Sequence, residues 1–493
     1  MRWKDYVCER IEDGIRILRY APETEEDAVS IPSHIEGDPV VEIGEDAFSE
    51  EGVFLSCVEI PSTVKRIGGG AFRMCMNLTE LILHDGLERI GEEALALTPL
   101  TEITLPATVS MIETPWTMAD IRFTVSEFNP YYFSDGFGLY RRENGEQELL
   151  VAFQQDERTS YEVPEGTTAI GEDVFSTNNN LQRVTLPATV HTIGEAAFEG
   201  CQNLSEIALP EGLREIGDNA FGHCIRLKSI HLPSTVEKIG VCALSDTFGW
   251  GEDFLGLERI TVEEGNAHFM ADADSLFEIG EQNDRFLVKY FGEGGEYRIP
   301  EDVSRILAGA FRRAKFYRCE VPQSVKTVGR DAFRECRNLR EIFLAESGTE
   351  LYIPAQPVYR KDEVTGLFFD REHEAGYIYD YRGYDALFPT YLNLPDRCGM
   401  ACCRLKYPVL LDDETAREYC EFMWENLTDI LQNIAEKQDM ELLVALSELG
   451  FFTEDNIEES LDVFAKSGQT KLTGFLLNYK RENLKEDTFD FSL

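Results

Sequence analysis

The chain has 493 residues, 43% of them hydrophobic, and carries 46 Lys and Arg against 91 Asp and Glu, a formal net charge of −45. No window approaches the run of about 18 apolar residues that a membrane-spanning helix needs. So acidic a surface repels phosphate backbones and excludes nucleic acid as an expected partner; it reads first as solubility for a protein with a large surface.

Residues 1–40 read as an N-terminal β cap, with short alternating strands at Gly14-Ile15-Arg16-Ile17-Leu18 and Val29-Ser30-Ile31 around the turn-prone Ala21-Pro22. The start lacks the apolar stretch of a secretory signal and the end, TFDFSL, carries no recognisable anchor, so a cytoplasmic protein is expected.

From residue 41 to residue 345 one pattern returns. Between Ile170 and Ile239 it runs through three consecutive copies with a period of 23: Ile-Gly at 170, 193 and 216, an apolar pair ending in Phe175, Phe198 and Phe221, then a strand-like segment ending in Leu-Pro. Earlier copies start at Ile43-Gly44, Ile67-Gly68 and Ile90-Gly91, and later ones at Ile306 and Val328-Gly329. A fixed period in this range predicts an α+β leucine-rich-repeat solenoid, in which stacked units share one core. Within each unit the alternating segment predicts a short strand ended by Pro, the Ile-Gly pair a change of direction, and the Ala-Phe pair a short helical or 3₁₀ segment whose Phe stacks on the next copy's.

Two stretches break the register, at about 113–165 and 263–300. Leu139-Tyr140 is followed ten residues later by Leu149-Leu150, and Leu276-Phe277 by Phe286-Leu287, with Asn144-Gly145 and Asn283-Asp284 between the paired runs. Each predicts an inserted β-hairpin.

Twelve cysteines raise the question of disulfides or metal. Cys75, Cys201, Cys224 and Cys336 share one repeat slot, so they read as reduced packing residues in a column. The Cys398, Cys402, Cys403 group matches no zinc spacing. Asn77 and Asn203 fit a glycosylation pattern, but with Asn180 and Asn338 they precede the strand leucine and read as turn residues.

Residues 346–411 are irregular and aromatic, with Tyr377, Tyr379, Tyr381, Tyr384, Phe388 and Tyr391; Tyr377 to Tyr381 alternates like a strand, and the cluster reads as a connector and C-terminal cap sealing the solenoid end. Residues 412–480 change to helical spacing. Leu431, Ile434, Ala435, Leu442 and Leu446 recur 30 residues later as Leu461, Phe464, Ala465, Leu472 and Leu476, which predicts a small all-α region of two helical hairpins resembling ankyrin units, followed by a tail over 481–493.

The repeated units resemble the BspA-like, Treponema-type leucine-rich repeat family of bacteria. The residues that carry the resemblance are Ile193-Gly194-Glu195-Ala196-Ala197-Phe198-Glu199-Gly200-Cys201-Gln202-Asn203-Leu204 and the opening Ile31-Pro32-Ser33-His34-Ile35-Glu36-Gly37-Asp38-Pro39-Val40. The resemblance covers about residues 10–345 and implies a curved solenoid that binds macromolecules. Its many surface members also imply an alternative, a surface or secreted adhesin recognising host protein or glycan.

No nucleotide, zinc-protease, serine-hydrolase or calcium-loop motif is present, and Gly68-Gly69-Gly70 lies in a repeat without a following Lys-Ser/Thr. His223 beside Cys224 reads as a turn residue next to a packing cysteine. The chain therefore reads as a non-enzymatic scaffold with no cofactor or metal and with a protein partner. Recognition is expected where strand residues alternate with the core and face the concave side. These are Glu80, Glu102, Arg183, Thr185, Glu206, Ser229, His231, Arg259, Arg318, Glu341 and Phe343, with the hairpin insertions as a second binding element.

Overall fold

A computed structural model describes residues 1–23, 26–49, 54–113, 121–154, 156–244, 257–281, 283–354, 358–368 and 379–484, the side chains of 358–360 aside. It is a solenoid of about 13 turns with a period of about 23, followed by a helical region. The chain divides into two compact units, Met1–Met270 and Ala271–Leu493.

In the first unit each coil contributes to three stacked faces. One is the expected strand ladder: Ala28–Ser30, Cys57–Glu59 and Glu80–Ile82 pair in parallel, as do Ser160–Glu162, Arg183–Thr185 and Glu206–Ala208. Their middle residues, such as Val58, Leu81, Val184 and Ile207, are buried while their neighbours face outward.

The Ile-Gly pair differs from expectation. Its isoleucine is a rung of a second parallel ladder, Ile43 on Ile67 on Ile90 on Ile112, and Ile170 on Ile193 on Ile216 on Ile239. The glycine after it is required by contact rather than by direction: a Cβ on Gly194 would lie 2.7 Å from the Gly171 carbonyl carbon, and one on Gly68 would lie 2.7 Å from the Glu45 nitrogen. Neighbouring coils approach too closely there for any side chain.

The Ala-Phe segment is a turn, not a helix. The residue before that Ala, or before Val174, holds a positive φ in the repeats, as at Asp46, Glu93, Asp173, Ala196 and Asn219, which stops a right-handed helix from starting. The Phe amide instead donates to the next coil's Ala carbonyl, Phe175 to Ala197 and Phe198 to Ala220 at 2.8 Å, so this face is also a ladder. The phenylalanines stack as expected, with centroids 4.9 Å apart for Phe48–Phe72 and Phe175–Phe198. The four column cysteines are buried, and none of the twelve cysteines, all among the described residues, is in a disulfide. The turn asparagines tie coil to coil, Asn203 Nδ2 donating to the Asn179 carbonyl oxygen at 2.6 Å.

The hairpin expected after residue 113 is present. Gly138–Glu143 and Glu146–Ala152 run antiparallel through Asn144 and Gly145, both at positive φ. Its second strand continues the isoleucine ladder, Leu149 pairing beside Ile170. The N-terminal cap repeats the device: Tyr6–Ile11 and Gly14–Tyr20 form a hairpin whose Ile17 pairs beside Ile43. Tyr6–Ile11 is a strand that the alternation pattern did not reveal.

The second unit starts with the third copy of this hairpin, Ser275–Ile279 with Arg285–Tyr290, and Leu287 pairs beside Ile306 and Ile306 beside Val328. Its strand ladder, Gly295–Arg298, Phe316–Val321 and Glu341–Leu344, is closed by an antiparallel strand, Thr349–Tyr352. The region expected to be irregular is largely helical: α1 (Val358–Thr365), α2 (Tyr381–Leu387) and α3 (Leu394–Lys406). Of the strand expected over 377–381, residues 377 and 378 lie outside the described residues. Tyr379 makes an isolated bridge to Phe368, and Asp380 caps α2 through the Gly383 amide at 2.9 Å. That capping bond competes with extended structure and starts a helix.

The helical spacing after residue 412 gives α4 (Asp413–Glu425), α5 (Leu427–Lys437), α6 (Met440–Glu448), α7 (Ile457–Lys466) and α8 (Thr470–Asn483), with α5 packed on α7 and α7 on α8. Ile434, Leu446, Phe464 and Leu476 are fully buried, whereas Leu442 is half-buried and Ala465 exposed. One core runs from Phe277 and Phe311 through Tyr379, Tyr384 and Phe388 to Leu476, so the aromatic cluster joins strand ladder to helices inside this unit.

Candidate functional site

The strand strip is built by register. Parallel pairing sets Arg183 beside Glu206, Thr185 beside Ala208, Ser229 beside Arg259 and His231 beside Thr261, one strand spacing apart. Glu80, Glu102, Arg183, Thr185, Glu206, Ser229, His231 and Arg259 are exposed, while Arg318, Glu341 and Phe343 in the second unit are half-buried.

Much of the strip's charge is internally paired. Arg183 Nε donates to Glu206 at 2.8 Å; His231 sits 2.8 Å from the Thr261 hydroxyl and 2.9 Å from Glu263. Arg259 has no polar partner among the described residues and faces solvent. Such exposed pairs contribute little stability, so a partner can exchange them at small cost.

Within the second unit the strip ends in a cleft of about 410 Å³ that the linear pattern did not reveal. Arg318, Glu341 and Glu350 come from the strands, Cys403 and Lys406 from α3, and Lys437 from the end of α5. Arg318 Nη1 donates to Glu341 at 2.5 Å and to Glu350 at 2.6 Å. Burial, then the Glu350 carboxylate, raise the Glu341 carboxyl above its usual range against the pull of Arg318. Gly399 lets α3 lie directly on the Tyr352 ring, whose hydroxyl donates to Asp396 at 2.9 Å.

The Cys398, Cys402, Cys403 group borders this cleft as packing. Burial pushes the Cys403 thiol far up, which suits a protonated, unreactive sulfur. Among the described residues no three His, Cys, Asp or Glu side chains are grouped to hold a metal ion, and no helix is long and apolar enough to cross a membrane. His223 has φ +60° in a turn, and its neighbour Cys224 donates to the Phe198 carbonyl at 3.1 Å. The cleft thus offers hydrogen-bond donors and acceptors to a polar ligand, and its thiol is not poised as a nucleophile.

A family model described as BspA type leucine rich repeat region matches six copies over residues 28–116, 151–250 and 295–355. The gap before residue 295 contains the hairpin that starts at Ser275, and the gap before residue 151 holds all but the last two residues of the hairpin that starts at Gly138. No curated protein matches the chain. Among solved structures, it is similar to a leucine-rich cell surface protein from Faecalibacterium prausnitzii, at 23% identity over 69% of this chain and 75% of that one, with a TM-score of 0.33. It is similar to the pneumococcal vaccine antigen PcpA at 20% identity over 72% and 79%, TM-score 0.42. A leucine-rich repeat protein from Bacteroides ovatus matches at 19% identity over 69% and 94%, TM-score 0.41.

Proposed function

The chain belongs to the BspA-type leucine-rich repeat family, and on that premise we propose that it is a non-enzymatic interaction scaffold of a bacterium. It would hold a protein partner through the strand strip, with the hairpins as flanking contacts. The observation that carries this reading is the exposure of Arg183, Thr185, Glu206, Ser229 and His231 on strands whose alternate residues are core. A row of side chains fixed by a rigid ladder is preorganised for binding, because little freedom is lost when the partner docks. The α5–α8 helical pairs, read as ankyrin-like, would add a second module.

Capture from the native bacterium with the full chain tests this. A variant carrying Arg183→Ala, Glu206→Ala and His231→Ala is expected to lose a partner that the unaltered chain retains. Equal recovery by both would remove the strip from the proposal.

Family membership favours a second reading, a surface or secreted adhesin binding host protein or glycan. Cell fractionation separates it from the cytoplasmic one: recovery in the soluble interior supports the cytoplasmic scaffold, and recovery outside the cell supports the adhesin.

A further inference from the structure

The two helical hairpins repeat at 30 residues, so positions of α5 and α6 have counterparts on α7 and α8. Where packing decides, the counterparts agree: Ile434 and Phe464 are buried, as are Leu446 and Leu476. On the wall that faces the cleft they differ. Asn433 stands where the second hairpin has Val463, and Ala445 where it has Phe475. Leu442 is half-buried although its counterpart Leu472 is buried, because part of it lines the cleft. The first hairpin is thus cut back and made polar where the cavity of about 410 Å³ opens, a volume within the range of about 300–1,000 Å³ for small-molecule sites.

Most of the cleft's charge is already engaged. Arg318, Lys406 and Lys437 line it against four carboxyl groups. Arg318 holds Glu341 and Glu350, Lys406 is turned to Glu448 at 2.9 Å, and Asp439 caps α6 through the Leu442 amide at 3.0 Å. The charged and amide side chains of the lining left without a hydrogen-bond or ion-pair partner among the described residues are Asn433, Lys437 and Glu441. They are an amide, an ammonium and a carboxylate, and together they carry no net charge.

An anion drawn to Lys437 would meet the Glu441 and Glu350 carboxylates in the same cleft, and a cation drawn to those carboxylates would meet Arg318 and the two lysines. A net charge of either sign therefore gains little. A neutral ligand rich in hydroxyl groups avoids both conflicts, because each hydroxyl can donate to a carboxylate and accept from an amide or ammonium group. Pro395, Leu442 and Ala445 add apolar surface for the C–H face of a sugar ring to cover. We propose that the cleft binds a small neutral saccharide, held at its hydroxyl edge by Asn433, Lys437 and Glu441. The inference does not rest on the strip's holding a protein partner: Arg318 and Glu341 belong to both, but the saccharide contacts lie on α5 and α6.

Saturation-transfer difference NMR of the full chain with lactose, cellobiose and N,N′-diacetylchitobiose, each titrated into the millimolar range, tests this. At least one sugar is expected to take up saturation and to titrate to a plateau. Ala445→Phe, which introduces the side chain that the second hairpin carries at 475, should fill the cleft and abolish the transfer with an unchanged urea midpoint. Asn433→Ala and Glu441→Ala each remove one hydrogen-bonding group and should raise the dissociation constant about fivefold, so a folding defect in one variant leaves the others to decide. No transfer from any of the three sugars, equal affinity in Ala445→Phe, or transfer from the zwitterion diglycine in their place overturns the proposal.

Discussion

The Cys201 thiol donates a hydrogen bond to the Phe175 carbonyl oxygen of the preceding coil at 3.0 Å, and the same bond recurs from Cys336 to Phe311 at 3.0 Å. A residue that first suggests redox chemistry is thus a coil-to-coil tie. Burial pushes the thiols of Cys75, Cys201 and Cys336 up to about 12. Iodoacetamide at neutral pH should leave these three unmodified in the native protein and label them on unfolding; labelling before unfolding would contradict the burial. Cys201→Ala should cost about 1–3 kcal/mol, from lost packing contacts and the lost thiol bond, while the Phe175 carbonyl still accepts from the Asn178 amide at 2.9 Å.

Gly194 should tolerate no Cβ, because the atom would sit 2.7 Å from backbone of the coil below. Gly194→Ala is expected to destabilise the first unit by about 1–3 kcal/mol through overpacking. Gly145 has φ +86° and open space around its Cβ position, so Gly145→Ala should cost only about 1–2 kcal/mol of backbone strain. Urea midpoints of the two variants separate the causes: Gly145→Asn, which tolerates positive φ, should recover most of the loss, and no such swap should rescue Gly194.

Arg404 is fully buried on α3, donating to Asp385 through Nε at 2.6 Å and Nη2 at 2.9 Å, while the Tyr419 hydroxyl donates to the same carboxylate at 2.8 Å. It also donates to the Tyr407 and Val409 carbonyls, both at 2.9 Å. Arg404→Ala leaves the half-buried Asp385 without its cation and with only the Tyr419 hydroxyl bonded to it, a loss of about 3 kcal/mol. In urea unfolding the double variant Arg404→Ala/Asp385→Ala should lose less than the sum of the single ones; strict additivity would deny the coupling.

Two carboxyls of the second unit should give opposite pH dependences. Burial would raise Glu335, but hydrogen bonds from Arg313 at 2.8 Å and Arg312 at 2.9 Å overcome it and hold it below the usual range. Its contribution is present above the unfolded value of about 4.3 and is lost as pH falls through the folded value. Glu341 is raised, so its contribution is present below about 4.3 and is lost as pH rises through its higher folded value. Glu335→Gln should therefore weaken the protein at neutral pH and reduce its loss of stability in acid. Glu341→Gln should flatten the decline above about pH 4 and cost less at neutrality. Urea midpoints across this range check both signs.

The chain's own order made the repeat, the Phe stack, the cysteine column and the strip legible, because each follows from a period of about 23 residues or from alternation by two. Pairing was not legible in that way. The N-terminal hairpin matches the other two through its backbone place beside Ile43, with little residue identity to signal it. One signal was available: Asn129 and Asn266 each lie nine residues before a hairpin strand. Each donates to the Pro and Val carbonyls of the coil below, Asn129 to Pro106 and Val109 at 2.8 and 3.0 Å, and Asn266 to Pro233 and Val236 at 2.9 and 3.1 Å.

The sequence by itself determined what repeats, since a solenoid unit must present the same apolar residues to its neighbours each time the chain comes round. Only the tertiary structure decided that isoleucine forms a second ladder, that the Ala-Phe segment is a turn, and that Arg318 and Glu341 meet Lys406 and Lys437 in one cleft. The physical reason is range. Periodicity records what a residue does relative to its own coil, whereas the cleft depends on side chains about 65 to 120 residues apart, brought together by the packing of α3 on the last strand and by the core that joins them.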